Sequence, residues 1–166
     1  MRTLSIIAAS AALLATAATS PLIAQQTGSS AAPSSHRLRW GPQITYDFND
    51  DNLGGGARLE YSLAGLLGTP NISGMFEGNW FPGTIDAFDL TYNVAYRFQT
   101  PSLRPYAGGG LGLWVLSGGG ATDTQLKLNA VGGLQFAPMG RVTPIIQLRY
   151  VFVRGDALLL TGGILF

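Results

Sequence analysis

The sequence contains no cysteine and only one histidine among its 166 residues. The missing cysteines exclude disulfide bonds and thiolate chemistry. The single histidine leaves acid–base catalysis of the Ser–His–Asp type with only one possible base, His36. His36 precedes the first predicted strand, and we interpret it as a solvated linker residue. The composition therefore argues against an enzyme.

Charged residues are also scarce, at 11% of the sequence against roughly 25% in soluble domains. Ten basic residues stand against nine acidic ones, so the chain lacks the basic excess of a nucleic-acid-binding protein. We expect no nucleic-acid partner. So few charges would also make a poor surface for a protein that lives in water.

The N-terminus is typical of a secretory signal peptide, with Arg2 followed by small and apolar residues at 4–18. The predicted cleavage site follows Ala24. A membrane-anchoring helix is the alternative, but the apolar run is shorter than the ~20 residues that a helical span needs. The predicted organisation is a signal peptide at residues 1–24, a flexible leader at 25–35 and one domain at 36–166.

Regular alternation of apolar and polar residues dominates the rest of the chain. From Phe88 to Phe98 every second side chain is large and apolar, which predicts a strand with two unlike faces. Turn-forming residues separate the alternating segments. The pattern predicts about eight strands, near residues 40–48, 57–63, 72–80, 88–98, 106–116, 125–136, 146–152 and 157–166.

The aromatic residues indicate which face of these strands contacts lipid and which faces the barrel interior. The chain has 3 Trp, 6 Tyr and 8 Phe, and all except Phe81, Tyr106 and Trp114 fall on the apolar faces or at their ends. Because an eight-stranded barrel has an interior just wide enough for ordinary side chains, the rings should point outward into lipid. The facing of the glycine-rich segment 106–116 is not assigned. A soluble β-sandwich that buries the rings in its core is the alternative.

The length of this strand agrees with the thickness of a membrane. Phe88 to Phe98 extends about 33 Å at about 3.3 Å per residue. A tilt of about 40° reduces this to roughly 25 Å, the height of the apolar band of a membrane barrel.

The export leader, the strand series, the segment Leu-Arg-Pro-Tyr-Ala-Gly-Gly-Gly-Leu-Gly-Leu at 103–113 and the terminal Ile-Leu-Phe at 164–166 resemble the small outer-membrane β-barrel proteins of Gram-negative bacteria, in particular the OmpA, OmpX and opacity-type barrels. The resemblance implies an all-β, eight-stranded, antiparallel up-and-down transmembrane barrel in the bacterial outer membrane, with both termini in the periplasm. It implies outer-membrane lipid and the barrel-assembly machinery as partners, and we expect a monomer. The terminal strand of such proteins carries an assembly signal, which here corresponds to Leu158, Leu160, Ile164 and Phe166.

The implied topology places the connections on two sides of the membrane. Extracellular loops are expected at residues 49–56, 81–87, 117–124 and 154–156, and periplasmic turns near 69–71, 100–102 and 138–140. All four outer loops are short, which argues against an adhesive or receptor role.

Charged residues on the polar strand faces would point into the lumen. Because buried charges persist only when they are paired and hydrogen-bonded, we expect a network that fills the barrel and a structural role in the envelope. A narrow porin-like channel for small or apolar solutes is the alternative. The predicted lumen network consists of Arg39, Asp47, Arg58, Glu60, Glu77, Asp89, Arg97, Lys127 and Arg149.

No cofactor or metal site is predicted. The Asn-Asp-Asp-Asn sequence at 49–52 lacks the spacing of a helix-flanked calcium loop and is interpreted as a hairpin turn. The glycine triplets at 108–110 and 118–120 lack the Lys-Ser/Thr pair of a phosphate-binding loop.

Overall fold

The computed structural model describes residues 38–100, 103–118, 120–152 and 156–166. The predicted signal peptide, leader and linker histidine lie outside the described residues. Among the residues described, no helix is long and apolar enough to cross a membrane. The elements are strands β1 (Arg39–Asp47), β2 (Asn52–Ser62), β3 (Ile72–Phe81), β4 (Asp86–Arg97), β5 (Leu103–Gly118), β6 (Ala121–Phe136), β7 (Thr143–Phe152) and β8 (Ala157–Leu165), with the single-turn helix α1 (Ala64–Leu67) between β2 and β3.

Each strand pairs antiparallel with the next along the chain, and β8 returns to pair with β1, so the sheet is a closed barrel. Ile44 lies opposite Gly162 in this closing ladder, and the backbone N–H of Phe166 donates to the carbonyl of Trp40 at 2.8 Å. Closure removes the unpaired strand edges that an open sheet would expose. The predicted eight-stranded up-and-down barrel is confirmed.

The strands are longer and the loops shorter than the sequence predicts. The turn between β1 and β2 occupies only residues 48–51, and Gly55 pairs with Ile44 inside the sheet. The predicted loop at 49–56 is therefore wrong in its second half. The predicted loops at 81–87 and 117–124 are likewise too long. Strand β3 includes Phe81, β5 extends to Gly118, and β6 begins at Ala121.

Close approach between strands explains why glycines occur in these strands. A Cβ atom on Gly56 would lie 2.0 Å from the carbonyl oxygen of Gly78 on the neighbouring strand. Glycine is required there because the strongly curved sheet leaves no space for a side chain. The glycines at 54–56, which the sequence predicts as part of a loop, therefore belong to strand β2.

The side chains alternate between the barrel exterior and the lumen as predicted. Only Phe81, Tyr106 and Trp114 among the aromatic residues are buried in the lumen, at 2%, 3% and 5% exposure. The positions of Tyr106 and Trp114 settle the facing of β5, which the alternation alone left open. The exposed aromatic residues are Trp40, Phe48, Phe76, Trp80, Phe88, Tyr92, Tyr96, Phe98, Phe136, Tyr150, Phe152 and Phe166.

We call the end of the barrel that carries the β1–β2 turn the loop end, and the end where β1 begins and β8 finishes the terminal end. Ring pairs surround both ends. Trp40 packs on Phe166 at 5.6 Å between centroids at the terminal end, and Trp80 stacks on Phe88 at 6.4 Å toward the loop end. Aromatic rings concentrated toward both ends, with mainly aliphatic side chains between them apart from Phe76 and Tyr92, are the exterior that a transmembrane barrel presents to lipid.

Candidate functional site

The lumen holds the nine charged residues predicted to face it. Seven of them are buried, and Arg39 and Arg97 at the terminal end keep 21% and 22% of their side chains exposed. Seven of the nine charges are grouped around three carboxylates, Glu60, Glu77 and Asp89, at successive levels of the barrel, whereas Asp47 and Lys127 enter no ion pair among the described residues.

Glu60 organises the level nearest the terminal end. Arg39 and Arg97 both form ion pairs with its Oε1 atom. Gln135 donates from Nε2 to Oε2 at 3.0 Å and accepts a hydrogen bond from Arg39 at 3.2 Å. Because only 1% of the Glu60 side chain is exposed, these donors replace the water that the carboxylate loses on folding.

Glu77 repeats this arrangement at the middle of the lumen. Arg58 Nη2 lies 2.7 Å from Oε1, and Arg149 Nη1 lies 3.9 Å from Oε2. Gln147 donates to both carboxylate oxygens, at 3.1 and 3.0 Å. Arg58 in turn donates to Gln147 and, at 3.2 Å, to the hydroxyl of Tyr106. Each of the two glutamates is thus held by two arginines and one glutamine.

Asp89 joins this level to a ladder of neutral polar groups. It forms an ion pair with Arg149 and accepts hydrogen bonds from Asn79 at 3.1 Å and Thr91 at 2.8 Å. Asn79 also accepts from Gln43 at 2.8 Å and from Thr45 at 3.0 Å. The network therefore crosses the lumen from β1 through β3 to β4 and β7.

The loop end of the lumen is closed by apolar side chains. The rings of Phe81 and Trp114 stack with centroids 5.9 Å apart, and Leu159 is fully buried in the same cluster. The Lys127 ammonium lies 4.1 Å from the Trp114 ring centroid, a cation–π contact. At the loop end, this layer borders a cleft of about 200 Å³ that is lined in part by Asp47 and Trp114.

The neutral members of the network were not singled out from the sequence. Gln135, Gln147, Asn79 and Thr91 alternate with apolar residues in the same way as the charged ones, so the same rule would have found them had uncharged side chains been counted. Tyr106 was missed because the facing of its strand was unassigned. Within the described residues, no group of three or more His, Cys, Asp and Glu side chains could hold a metal ion.

The residues proposed as an assembly signal lie together on the outer face of the last strand. Phe166 is 48% exposed, and its ring contacts Trp40. Leu158, Leu160 and Ile164 are half-buried at alternate positions of the same face. Their recognition during assembly stays a prediction.

A closed eight-stranded barrel with an apolar, aromatic-belted exterior and a charged interior is the architecture of an integral membrane β-barrel. Comparison with solved structures gives the same fold. The N-terminal β-barrel domain of Pseudomonas aeruginosa OprF matches with a TM-score of 0.63 and 16% identity, over 78% of this chain and 95% of that chain.

Two further structures share the fold. Neisserial surface protein A matches with a TM-score of 0.59 and 15% identity, over 77% of this chain and 94% of that chain. A barrel from the de novo design of transmembrane β-barrels matches with a TM-score of 0.53 and 12% identity, over 78% and 93%. No family model and no curated protein matches the sequence. The likeness predicted from the sequence, to the fold of small bacterial outer-membrane barrels, is confirmed.

Proposed function

We propose that this chain is an integral protein of the bacterial outer membrane with a side-chain-filled lumen and a structural role in the envelope. The observation that carries the proposal is the Glu77 level, where Arg58 and Glu77 form an ion pair with neither side chain exposed. That level lies across the middle of the barrel, where a conducting path would have to pass.

The energetics of buried charges support a static filling. Removing one partner of a buried ion pair typically costs about 3–5 kcal/mol, because the other charge is left unpaired in a medium of low polarity. Opening a bore beside Glu77 would separate it from Arg58, Arg149 and Gln147 together. A water path would therefore require a concerted rearrangement of several buried groups.

The apolar layer at the loop end supports the same proposal. The stacked rings of Phe81 and Trp114 provide a permeating ion or polar solute with no hydrogen-bond acceptor and with only one donor, the indole N–H of Trp114. The surroundings proposed for the exterior are outer-membrane lipid, with the barrel-assembly machinery as a partner during biogenesis. We further propose that the chain is a monomer and has no catalytic activity.

Single-protein conductance in a planar lipid bilayer tests the filled lumen. We expect no regular current steps from the wild-type protein, whose insertion is verified by the difference in gel mobility between unheated and boiled samples. A variant that combines Arg58→Ala and Glu77→Ala with Phe81→Ala and Trp114→Ala removes both the central ion pair and the apolar layer, and it is expected to give discrete steps. Regular steps from the wild-type protein would favour the narrow channel instead.

A further inference from the structure

Positive charge is in excess at the terminal end of the lumen. All nine acidic residues of the chain lie in its described part, and Glu60 is the one near this mouth. In the middle of the lumen Arg58 and Arg149 are balanced by Glu77 and Asp89. The terminal end has no such balance.

Two arginines contact Glu60, and a third arginine lies at the same end of the barrel. Arg39 and Arg97 share its Oε1 atom. Arg104 lies on β5 two residues before the inward-facing Tyr106 and is the cross-strand partner of Gln135, which donates to Glu60. Arg104 is exposed and, among the described residues, enters no ion pair. Three guanidinium groups against one carboxylate leave about two positive charges unbalanced.

The Arg39 and Arg97 side chains are held in place and remain partly accessible, although Nε and Nη2 of Arg97 are buried, so a ligand would reach that guanidinium group through Nη1. Glu60 and Gln135 are buried and hold Arg39 and Arg97 in place, yet about a fifth of each arginine side chain faces solvent, at 21% and 22%. Arginine presents planar N–H donors that match the oxygens of an oxyanion, and a confined rim of like charges strengthens the attraction.

We propose that the terminal-end mouth of the barrel is a phosphate-binding site formed by Arg39, Arg97 and Arg104. An inorganic or monoester phosphate carries about −1.5 to −2 charges at neutral pH, which matches the surplus at the mouth. Glu60 acts as an internal competitor, because its carboxylate occupies donors that the ligand would use. The site does not depend on the structural role proposed above.

Calorimetric titration of inorganic phosphate into the folded protein tests the site. The protein is held in an uncharged sugar detergent, which contains no phosphate, at neutral pH and at an ionic strength kept constant with sodium chloride. We expect saturable binding to the wild-type protein. Arg104→Gln should weaken it roughly tenfold, as expected for the loss of one charge-assisted contact.

Two further variants separate a site from general electrostatics. Arg141→Gln removes the same charge from an exposed residue of the turn between β6 and β7, at the same end of the barrel but not part of the proposed site, and it should leave the affinity nearly unchanged. Glu60→Gln should tighten binding, because Arg39 and Arg97 are then released for the ligand. Absence of saturable binding, or equal weakening by Arg104→Gln and Arg141→Gln, would overturn the proposal.

The phosphate could be free in solution or belong to a lipid headgroup at the rim of the barrel. The titration is therefore repeated with a short-chain phosphatidylglycerol present. Displacement of inorganic phosphate by the lipid would support the site and assign it to headgroups, whereas undiminished phosphate binding would support it and assign it to soluble phosphate compounds.

Discussion

Glu77 is the residue on which the interior of this protein depends most. Its carboxylate contacts Arg58, Arg149 and Gln147, and none of its surface is exposed. Its two arginines have few other anionic partners, since Arg149 alone reaches Asp89. The charges at mid-lumen therefore form one unit rather than a set of independent pairs.

Replacing Glu77 by Gln should lower the free energy of unfolding by about 3–5 kcal/mol, because it preserves the shape of the side chain and leaves two buried guanidinium groups undercompensated. Denaturant unfolding of the lipid-inserted protein measures this loss. Asp123→Asn, at an exposed position of β6, is the matched control and should change stability by no more than about 0.5 kcal/mol. Similar losses for the two variants would contradict the network.

The sequence allowed the lumen charges to be assigned but not their partners. Alternation along each strand places Arg58 and Glu77 on the inner face. Which groups then meet depends on the register around the whole barrel. Arg58 bonds to Gln147, 89 positions away on β7 and not on an adjacent strand. A pattern confined to one strand carries no information about such a contact.

The strands depend on glycine where neighbouring backbones approach most closely. On β5 a Cβ atom at Gly110 would lie 1.9 Å from the carbonyl oxygen of Tyr92 on β4. By contrast, a Cβ atom at Gly162 on β8 would meet no atom within 4 Å. The two glycines therefore have different roles within the same barrel.

Gly110→Ala should reduce the fraction of protein that folds, because the added methyl group forces β4 and β5 apart and breaks their ladder. The folded fraction is measured as the share of unheated protein that migrates differently from boiled protein on a detergent gel. Gly162→Ala should fold as well as the wild-type protein. If the alanine at 110 were tolerated equally, the close packing of these strands would be incorrect.

Element boundaries were the least predictable part of the fold. The alternation located all eight strands, but the glycines at 54–56 indicated a turn because glycine is common in turns. In this barrel they lie in β2, where Gly54 and Gly56 adjoin Phe81 and the β3 backbone. Whether a glycine serves a turn or a tightly curved strand is decided by neighbours that are distant in sequence.

At the scale of the whole molecule, two solvents shape the chain. The aromatic and aliphatic face of the strands contacts lipid. The polar face is enclosed in the lumen, where its side chains must form hydrogen bonds with one another. The volume of the aromatic rings, compared with the capacity of an eight-stranded barrel, was enough to predict this division from the sequence. The facing of β5 needed the structure, because the glycines at 108–110 carry no side chains that could mark a face.

The three tryptophans test this division most directly, since Trp40 and Trp80 are 58% and 46% exposed on the exterior and Trp114 is 5% exposed in the lumen. Fluorescence is measured in vesicles of lipids brominated along their acyl chains, which quench tryptophans in contact with them. In the Trp114→Phe variant, the remaining Trp40 and Trp80 should be strongly quenched. In the Trp40→Phe, Trp80→Phe variant, Trp114 should keep nearly all its emission; strong quenching of Trp114 together with unquenched Trp40 and Trp80 would contradict the orientation of every strand.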